Sequence, residues 1–405
     1  MHELAVTRLG DEGYDRTRQD IHPLRLDALP YDVLASIASQ LPNCASLASL
    51  AVVSPAFTQP AQSSLFRLLP SLNPRQTLYA FLALQRKPEL ARVVKRVRLN
   101  VCEADELLDS FGLLPAAWLR LVWRTIRKMS SLQQLGISTE ERKSIPYDLP
   151  ELWDLRNLER SNLHLKSCKL RLPAAHPIEF LRQQTSLEEL SLHMLRGSGH
   201  ELYTNACTRL AILGQERDAL PKLKALQAPV WVADRLLGER RIERLNIKGF
   251  LIHPDEVMLL SRPHAGVLKV INLAYLALRP EVLIWIGENL RALEELRLTV
   301  LLHPAQDLMK TLTSPSILSA LSNLNNLHSL CILLINCHLH HRERNYAEEV
   351  QELGNGCKAL KEVNLCLGVG EPVKWKREGG AQWGEVTSDR AELTRWDGCW
   401  PNPTF

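Results

Sequence analysis

The chain is poor in aromatics: Phe, Trp and Tyr together make up 6% of its 405 residues. It has no C-x-x-C pair, no marked charge of either sign, and no run approaching the roughly 18 apolar residues that a membrane span requires. Its nine cysteines are scattered and odd in number, which argues against a disulfide framework and for reduced thiols. The net charge of +4 gives little support to a nucleic-acid partner, although a locally basic groove stays open. The first twenty residues, MHELAVTRLGDEGYDRTRQD, lack the apolar core of a secretory leader. These absences lead to the expectation of a soluble intracellular chain, cytoplasmic or nuclear, with no membrane contact and nucleic acid an improbable partner. Residues 1–25 carry too little apolar content for a core and read as a disordered tail.

What the chain does have is one pattern used many times. Apolar-x-x-apolar-x-apolar occurs as VKRVRL from Val94, LQQLGI from Leu132, LEELSL from Leu187, LKALQA from Leu223 and IERLNI from Ile242. It continues as LKVINL from Leu268, LEELRL from Leu293, LHSLCI from Leu327 and KEVNL ending at Leu365, with a weaker copy, RSNLHL, from Arg160. Cys168 falls three residues beyond Leu165, as Cys102 does beyond Leu99. Each copy ends in the period-2 alternation of a half-buried strand. Helical patterns precede most of them, such as PAAWLRLVWRTIRKM before Leu132 and PEVLIWIGENLRA before Leu293. Copies are mostly 25 to 38 residues apart, enough for a strand, a turn and a helix. Such units cannot bury their apolar faces alone, so they stack. An ordinary α/β domain with a parallel sheet is the alternative.

Over residues 94–370 this pattern resembles the leucine-rich repeat family, although the usual Asn at the ninth position is replaced by Cys or large apolar residues. The expected fold is an α/β solenoid, a curved parallel sheet with outer helices. Residues between and beside the paired apolar positions then share the concave face. The expected target-binding set is Arg96, Arg98, His164, Lys166, His193, Arg244, Asn246, Lys248, Asn272, Arg297 and Asn364, accompanied by Gln134, Glu189, Gln227, Glu295 and Cys331. Six Lys or Arg oppose two Glu there, a mildly basic mixture that slightly favours an acidic or phosphorylated protein segment.

Ahead of this array stands LPYDVLASIASQLPNCASLASLAVVSPAF, two short helical patterns with a single charge. Pro30 suits a first helical turn, and Val33, Leu34, Ile37 and Leu41 fall along one side. LPNCAS starts a second helix carrying Leu47, Leu50, Ala51 and Val53, SPAF ends it, and QSSLFRLL begins a third. Leu29-Pro30, Asp32, Val33-Leu34, Ile37, Leu41-Pro42, Leu47, Leu50 and Val53-Ser54, with LFRLL at Leu65–Leu69, make residues 26–70 similar to the F-box family, in a fungal form. The resemblance implies a small all-α unit that docks a Skp-family adaptor, and through it a cullin, with Leu29, Pro30, Val33, Leu34, Ile37, Leu41 and Leu50 as contacts. The other reading of these helices is a cap on the open end of the array. Residues 71–93 would be a linker or capping helix.

Other chemistry is weakly signalled. Cys331, Cys337, His338, His340 and His341 cluster without the spacing of a structural zinc site. RGSGHELY lacks the lysine and the strand–helix context of a phosphate loop, and no catalytic signature appears. The expectation is no metal, no cofactor and no enzymatic activity. Residues 371–405 hold Trp375, Trp383, Trp396 and Trp400 and form a distinct tail, expected to pack on the last repeat or to fold towards the concave face. The combined expectation is a substrate-recognition subunit of an SCF-type ubiquitin ligase, with a scaffold unrelated to ubiquitin as the alternative.

Overall fold

In the computed structural model thirteen strands lie side by side in the order in which they occur along the chain. They are β1 Leu68–Leu72, β2 Arg96–Asn100, β3 Gln134–Ser138, β4 Ser167–Leu172, β5 Glu189–Met194, β6 Ala225–Ala228, β7 Arg244–Ile247, β8 Val270–Ala277, β9 Glu295–Leu301, β10 Ser329–Ile335, β11 Glu362–Leu367, β12 Val373–Glu378 and β13 Gln382–Thr387. Each of β1 to β11 runs parallel to its neighbours in that series, whereas β12 and β13 are antiparallel additions at the end. The result is an open, mostly parallel α/β sheet. The structure describes residues 29–41, 43–72, 74–100, 115–138, 158, 163–172, 178–194, 208, 210–237, 240–248, 265–277, 279–301, 308–335, 346–367, 373–378 and 382–387.

The chain divides into two compact units, Met1–Leu65 and Phe66–Phe405. The first contains α1 Tyr31–Ser39, α2 Cys44–Val53 and most of α3 Pro55–Arg67. Asn43 caps α2, its side-chain oxygen accepting from the Ser46 N–H at 2.7 Å. The third helix begins at Pro55, so the SPAF step that was expected to end a helix instead opens the next one. Pro55 has no N–H to leave unpaired in a first turn. Leu68, expected as part of the helical unit, starts β1, so the sheet begins ahead of the Val94 copy.

In the second unit the typical template copy does three jobs. Its paired apolar residues, such as Val97 and Leu99 or Leu296 and Leu298, enter one continuous buried cluster with the helices. Its first apolar residue closes a tight turn: Leu132 donates to the Met129 carbonyl, Leu187 to Gln184, Leu293 to Leu290 and Leu327 to Leu324, at 2.9 to 3.2 Å. Its second residue joins a main-chain staircase. Gln133 donates to Lys95, Lys166 to Gln133, Glu188 to Lys166, and so on through Lys224, Glu243, Lys269, Glu294, His328 and Lys361, at 2.7 to 2.9 Å. From Lys166 to Glu294 the side chains in this row alternate strictly in sign, which suits neighbours about 4.8 Å apart.

One strand lies elsewhere than expected. RSNLHL from Arg160 does not supply β4; Ser167–Leu172 does, with Leu135 opposite Cys168 and Ile137 opposite Leu170. The copy is LKSCKL from Leu165, in which Cys168 serves as a small apolar residue and is buried. The pattern was hidden because a cysteine occupies a position that leucine holds in most other copies.

Helices fill the crossovers that parallel strands demand: α4 Pro74–Arg86, α5 Pro88–Val93, α6 Pro115–Ile126, α7 Ile178–Arg182, α8 Val230–Leu237, α9 Pro280–Asn289, α10 Leu308–Leu312, α11 Pro315–Ser322 and α12 Ala347–Gly356. Five of these nine begin with proline. Gln85 of α4 donates to the Thr125 hydroxyl of α6 at 2.8 Å and accepts from Lys128 at 2.6 Å, which ties successive helices together. Arg240, buried below β7, donates to the carbonyls of Leu213, Gly214, Glu216, Ala219 and Leu236. Burial pulls its pKa down, and Glu216 acts in the opposite direction. Among the described residues no helix is long and apolar enough to cross a membrane.

Candidate binding faces

The sheet face opposite the buried one is ordered in rows. Register carries a middle row from strand to strand as Arg98, Gly136, Lys169, Ser191, Gln227, Asn246, Asn272, Arg297, Cys331, Asn364 and Lys374. The row beneath it runs Arg96, Gln134, Ser167, Glu189, Ala225, Arg244, Val270, Glu295, Ser329, Glu362 and Lys376. Of the residues expected on this face, Arg96, Arg98, Gln134, Glu189, Gln227, Arg244, Asn246, Asn272, Glu295, Arg297, Cys331 and Asn364 are brought onto it.

His164 and Lys166 are not. Both precede β4 and are exposed, and Lys166 belongs to the alternating-charge staircase instead. With the strand displaced by five residues, Ser167 and Lys169 are the β4 residues in the two rows of this face. Lys248 follows the end of β7 and donates its N–H to the Ala228 carbonyl. His193 lies within β5, but its side chain is outside the described residues. So are Cys337, His338, His340 and His341, the RGSGHELY loop, Trp396, Trp400 and the first 25 residues. Among the described residues no group of three or more His, Cys, Asp and Glu is placed to hold a metal.

The basic residues on this face are largely matched within it. Arg244 of β7 reaches across β6 to Glu189 of β5 at 2.9 Å, over Ala225, whose methyl leaves the path clear. Arg297 pairs with Glu295 on its own strand. Arg96 donates to Gln134 at 2.5 Å, and its pKa is lowered by burial and then by Arg98 beside it. Glu362 accepts from Asn364 at 2.7 Å and pairs with Lys374 at 3.0 Å. Burial works to raise the Glu362 pKa, yet these donors hold it below the ordinary carboxylate value. Sequence reasoning passed over Glu362, although it lies within the KEVNL copy, and missed Lys374 because the tail showed no template that would extend the sheet.

The middle row is unlike a solvated surface at its centre. Ser191, Gln227 and Asn246 retain 4%, 0% and 5% of their exposure, and Asn364 is also buried. Burial raises the Cys331 thiol pKa well above its ordinary value.

In the first unit, Leu34, Ala38, Leu47, Phe57 and Ala61 are buried. Leu34 is thus a core residue rather than the surface contact that the sequence suggested. Leu29, Leu41 and Leu50 are half-buried, and Pro30, Val33 and Ile37 are exposed. Tyr31 on α1 is exposed too, and Val52 and Val53 at the end of α2 retain 87% and 77% of their exposure. Val52 was not anticipated; a helical wheel of α2 gives little signal because nearly every residue in CASLASLAVV is small or apolar.

No protein-family model matches the sequence, and no curated protein matches it.

Proposed function

We propose that this chain is a substrate receptor: an F-box at its start docks a Skp-family adaptor of an SCF-type cullin–RING ubiquitin ligase, and leucine-rich-type repeats behind it present a protein target. The observation that carries the proposal is the aliphatic surface of the first unit. Val33, Ile37, Val52 and Val53 are exposed on α1 and α2, in a unit whose own core is already filled by Leu34, Leu47 and Phe57. An interface centre is aliphatic and poor in charge, and Asp32 is the one charged residue between Tyr31 and Gln62. The second unit supplies a long polar sheet face. In this role the chain contributes affinity and geometry, while the ubiquitin-charged enzyme held by the ligase does the chemistry. The expected site of action is the cytoplasm or nucleus.

The test is co-purification with a Skp-family adaptor. Leu34→Asp would destroy the unit's core and is uninformative, so Val33→Asp with Ile37→Asp is the probe, and Arg98→Glu on the sheet the control. A charge at an interface centre costs roughly 2 kcal/mol or more. Wild type and Arg98→Glu should bind and the double variant should not. A folded wild type that ignores the adaptor leaves the first helices as a cap and ends the ubiquitin proposal.

A further inference from the structure

The polar face is not charged evenly along the sheet. β1 to β4 contain no Asp or Glu, and the first carboxylate on the face, Glu189 of β5, is paired with Arg244. Further along, Arg297 and Lys374 likewise have Glu295 and Glu362. Register sets six positions of β2, β3 and β4 in a block: Arg96, Gln134 and Ser167 in one row, and Arg98, Gly136 and Lys169 in the next. Every side chain in this block is a cation or a neutral donor. All six residues are half-buried, unlike Ser191, Gln227 and Asn246 at the centre of the face, so surface remains for a partner to touch.

Holding these charges together has a cost. After burial, Arg98 is what lowers the Arg96 pKa, so the two guanidiniums repel. The Arg96 Nε–H donates to Gln134 Oε1 at 2.5 Å, which leaves the Gln134 amide N–H groups as donors. Between Arg98 and Lys169, Gly136 contributes no side chain. A Cβ there would have the Arg98 side chain at 3.5 Å as its nearest neighbour, an ordinary contact, so the space above the glycine takes a group of an incoming chain without displacing anything. Three cations are neutralised by three negative charges. A phosphoryl group carries at most about two, whereas a run of Asp or Glu supplies one carboxylate to each cation, and Arg takes a carboxylate on two N–H groups at once. Nucleic acid is disfavoured, because no aromatic residue stands on β1 to β4 for a base to stack on.

We propose that the β2–β4 end of the polar face docks an acidic segment of a protein target, with Arg96, Arg98 and Lys169 each taking a carboxylate and Gly136 as the floor between the last two. This rests on the reading of the sheet as the target-binding surface. It confines to three strands, and to carboxylates, a preference that composition spreads over the whole face.

The test is fluorescence anisotropy with the full-length chain and labelled Gly/Ser dodecapeptides centred on a run of Glu, a run of Gln or one phosphoserine. The Glu peptide should bind, more weakly as salt rises, and the Gln peptide should not. Arg98→Gln and Lys169→Gln should each weaken the Glu peptide about tenfold, the loss of one charge-assisted hydrogen bond. Arg291→Gln, which removes a positive charge from the exposed turn before β9, should match wild type. Gly136→Glu, which sets a carboxylate among the cations, should bind the Glu peptide about tenfold more weakly than Gly136→Gln, which has the same size and no charge. If Arg98→Gln or Lys169→Gln loses its cooperative thermal transition, the two Gly136 variants decide. No binding of the Glu peptide by wild type means that the chain itself meets these cations, and overturns the proposal. So does tighter binding of the phosphoserine peptide or of a labelled single-stranded RNA, or equal binding by all variants. Adaptor co-purification is scored separately, so peptide binding without adaptor binding removes the ligase role and leaves the site. Adaptor binding without peptide binding does the reverse.

Discussion

The guanidinium of Arg377, on β12, donates to the carbonyl of Gly354 in α12 at 2.8 Å. It also donates to the carbonyls of Lys358 at 2.7 Å and Leu360 at 3.4 Å, and it stacks over the Trp383 ring at 5.6 Å. The β12–β13 hairpin is thereby fastened to the last helix of the array. Trp375 is buried on the hairpin's inner side.

Gly354 has no side chain because Trp383 occupies the space. A Cβ there would sit 2.2 Å from the indole nitrogen. Gly354→Ala should displace Trp383 and cost about 2 kcal/mol by overpacking. Arg377→Ala should loosen the same hairpin. Both are checked by chemical denaturation with tryptophan fluorescence. Stability within 0.5 kcal/mol of wild type for both, as is usual for surface changes, would mean that the hairpin is not an energetic cap.

Gly287 in α9 faces the backbone of α11, and a Cβ would lie 2.2 Å from the Ala320 carbonyl oxygen. Backbone cannot turn aside as a side chain can, so Gly287→Ala should destabilise by roughly 2–3 kcal/mol. Gly136 is the control: its nearest neighbour would be the Arg98 side chain at an ordinary 3.5 Å. Gly136→Ala should leave the melting temperature unchanged or raise it.

Arg240→Met should be the most damaging single change named here. It removes the donor shared by five carbonyls from Leu213 to Leu236. With about 1–3 kcal/mol for each buried group left unmet and some relaxation, a loss of roughly 3 kcal/mol or more follows. Hydrogen exchange should show faster opening around residues 213–240 before the rest of the sheet.

Acid should weaken the carboxyl-terminal end of the sheet. The Glu362 pKa is held below its ordinary 4.5 in the folded chain. A depressed carboxylate adds stability that is complete above its unfolded pKa and is lost as pH falls through the folded value. Denaturation at neutral pH and at about pH 3 should therefore differ less in Glu362→Gln than in wild type. An unchanged difference would show that this carboxylate carries none of the acid sensitivity.

Thiol reactivity should separate the cysteines. Burial pushes Cys168 up to about 12 and raises Cys331 and Cys357, whereas Cys44 is exposed. Brief alkylation at mildly alkaline pH, read by peptide mass spectrometry, should label Cys44 and leave the other three intact until the chain is unfolded. Rapid labelling of Cys168 would contradict its place in the sheet core.

The template Leu-x-x-Leu-x-Leu was enough to place most strands, because it specifies at once a turn-closing residue and two residues on one face of a strand. Leu132, Leu135 and Ile137 do this, and so do Leu293, Leu296 and Leu298. The same logic failed where one apolar position was filled by an ambiguous residue: Cys168 hid β4 and moved His164 and Lys166 off the face to which alternation had assigned them. In the helical unit, period alone could not separate Leu34 from Val33 and Ile37, since all three are aliphatic and lie within one turn.

By itself, then, the sequence determined the alternation of strands with helices, the parallel order and the two faces of most strands, because these depend on spacing along one chain. Tertiary structure alone decided which polar groups are paired. Whether Arg244 is free or held by Glu189, whether Asn246 is wet or buried, and whether the tail extends the sheet all depend on residues dozens of positions apart, brought within 3–5 Å by strand register. Charge and hydrogen bonding act at those distances, and no local pattern records them.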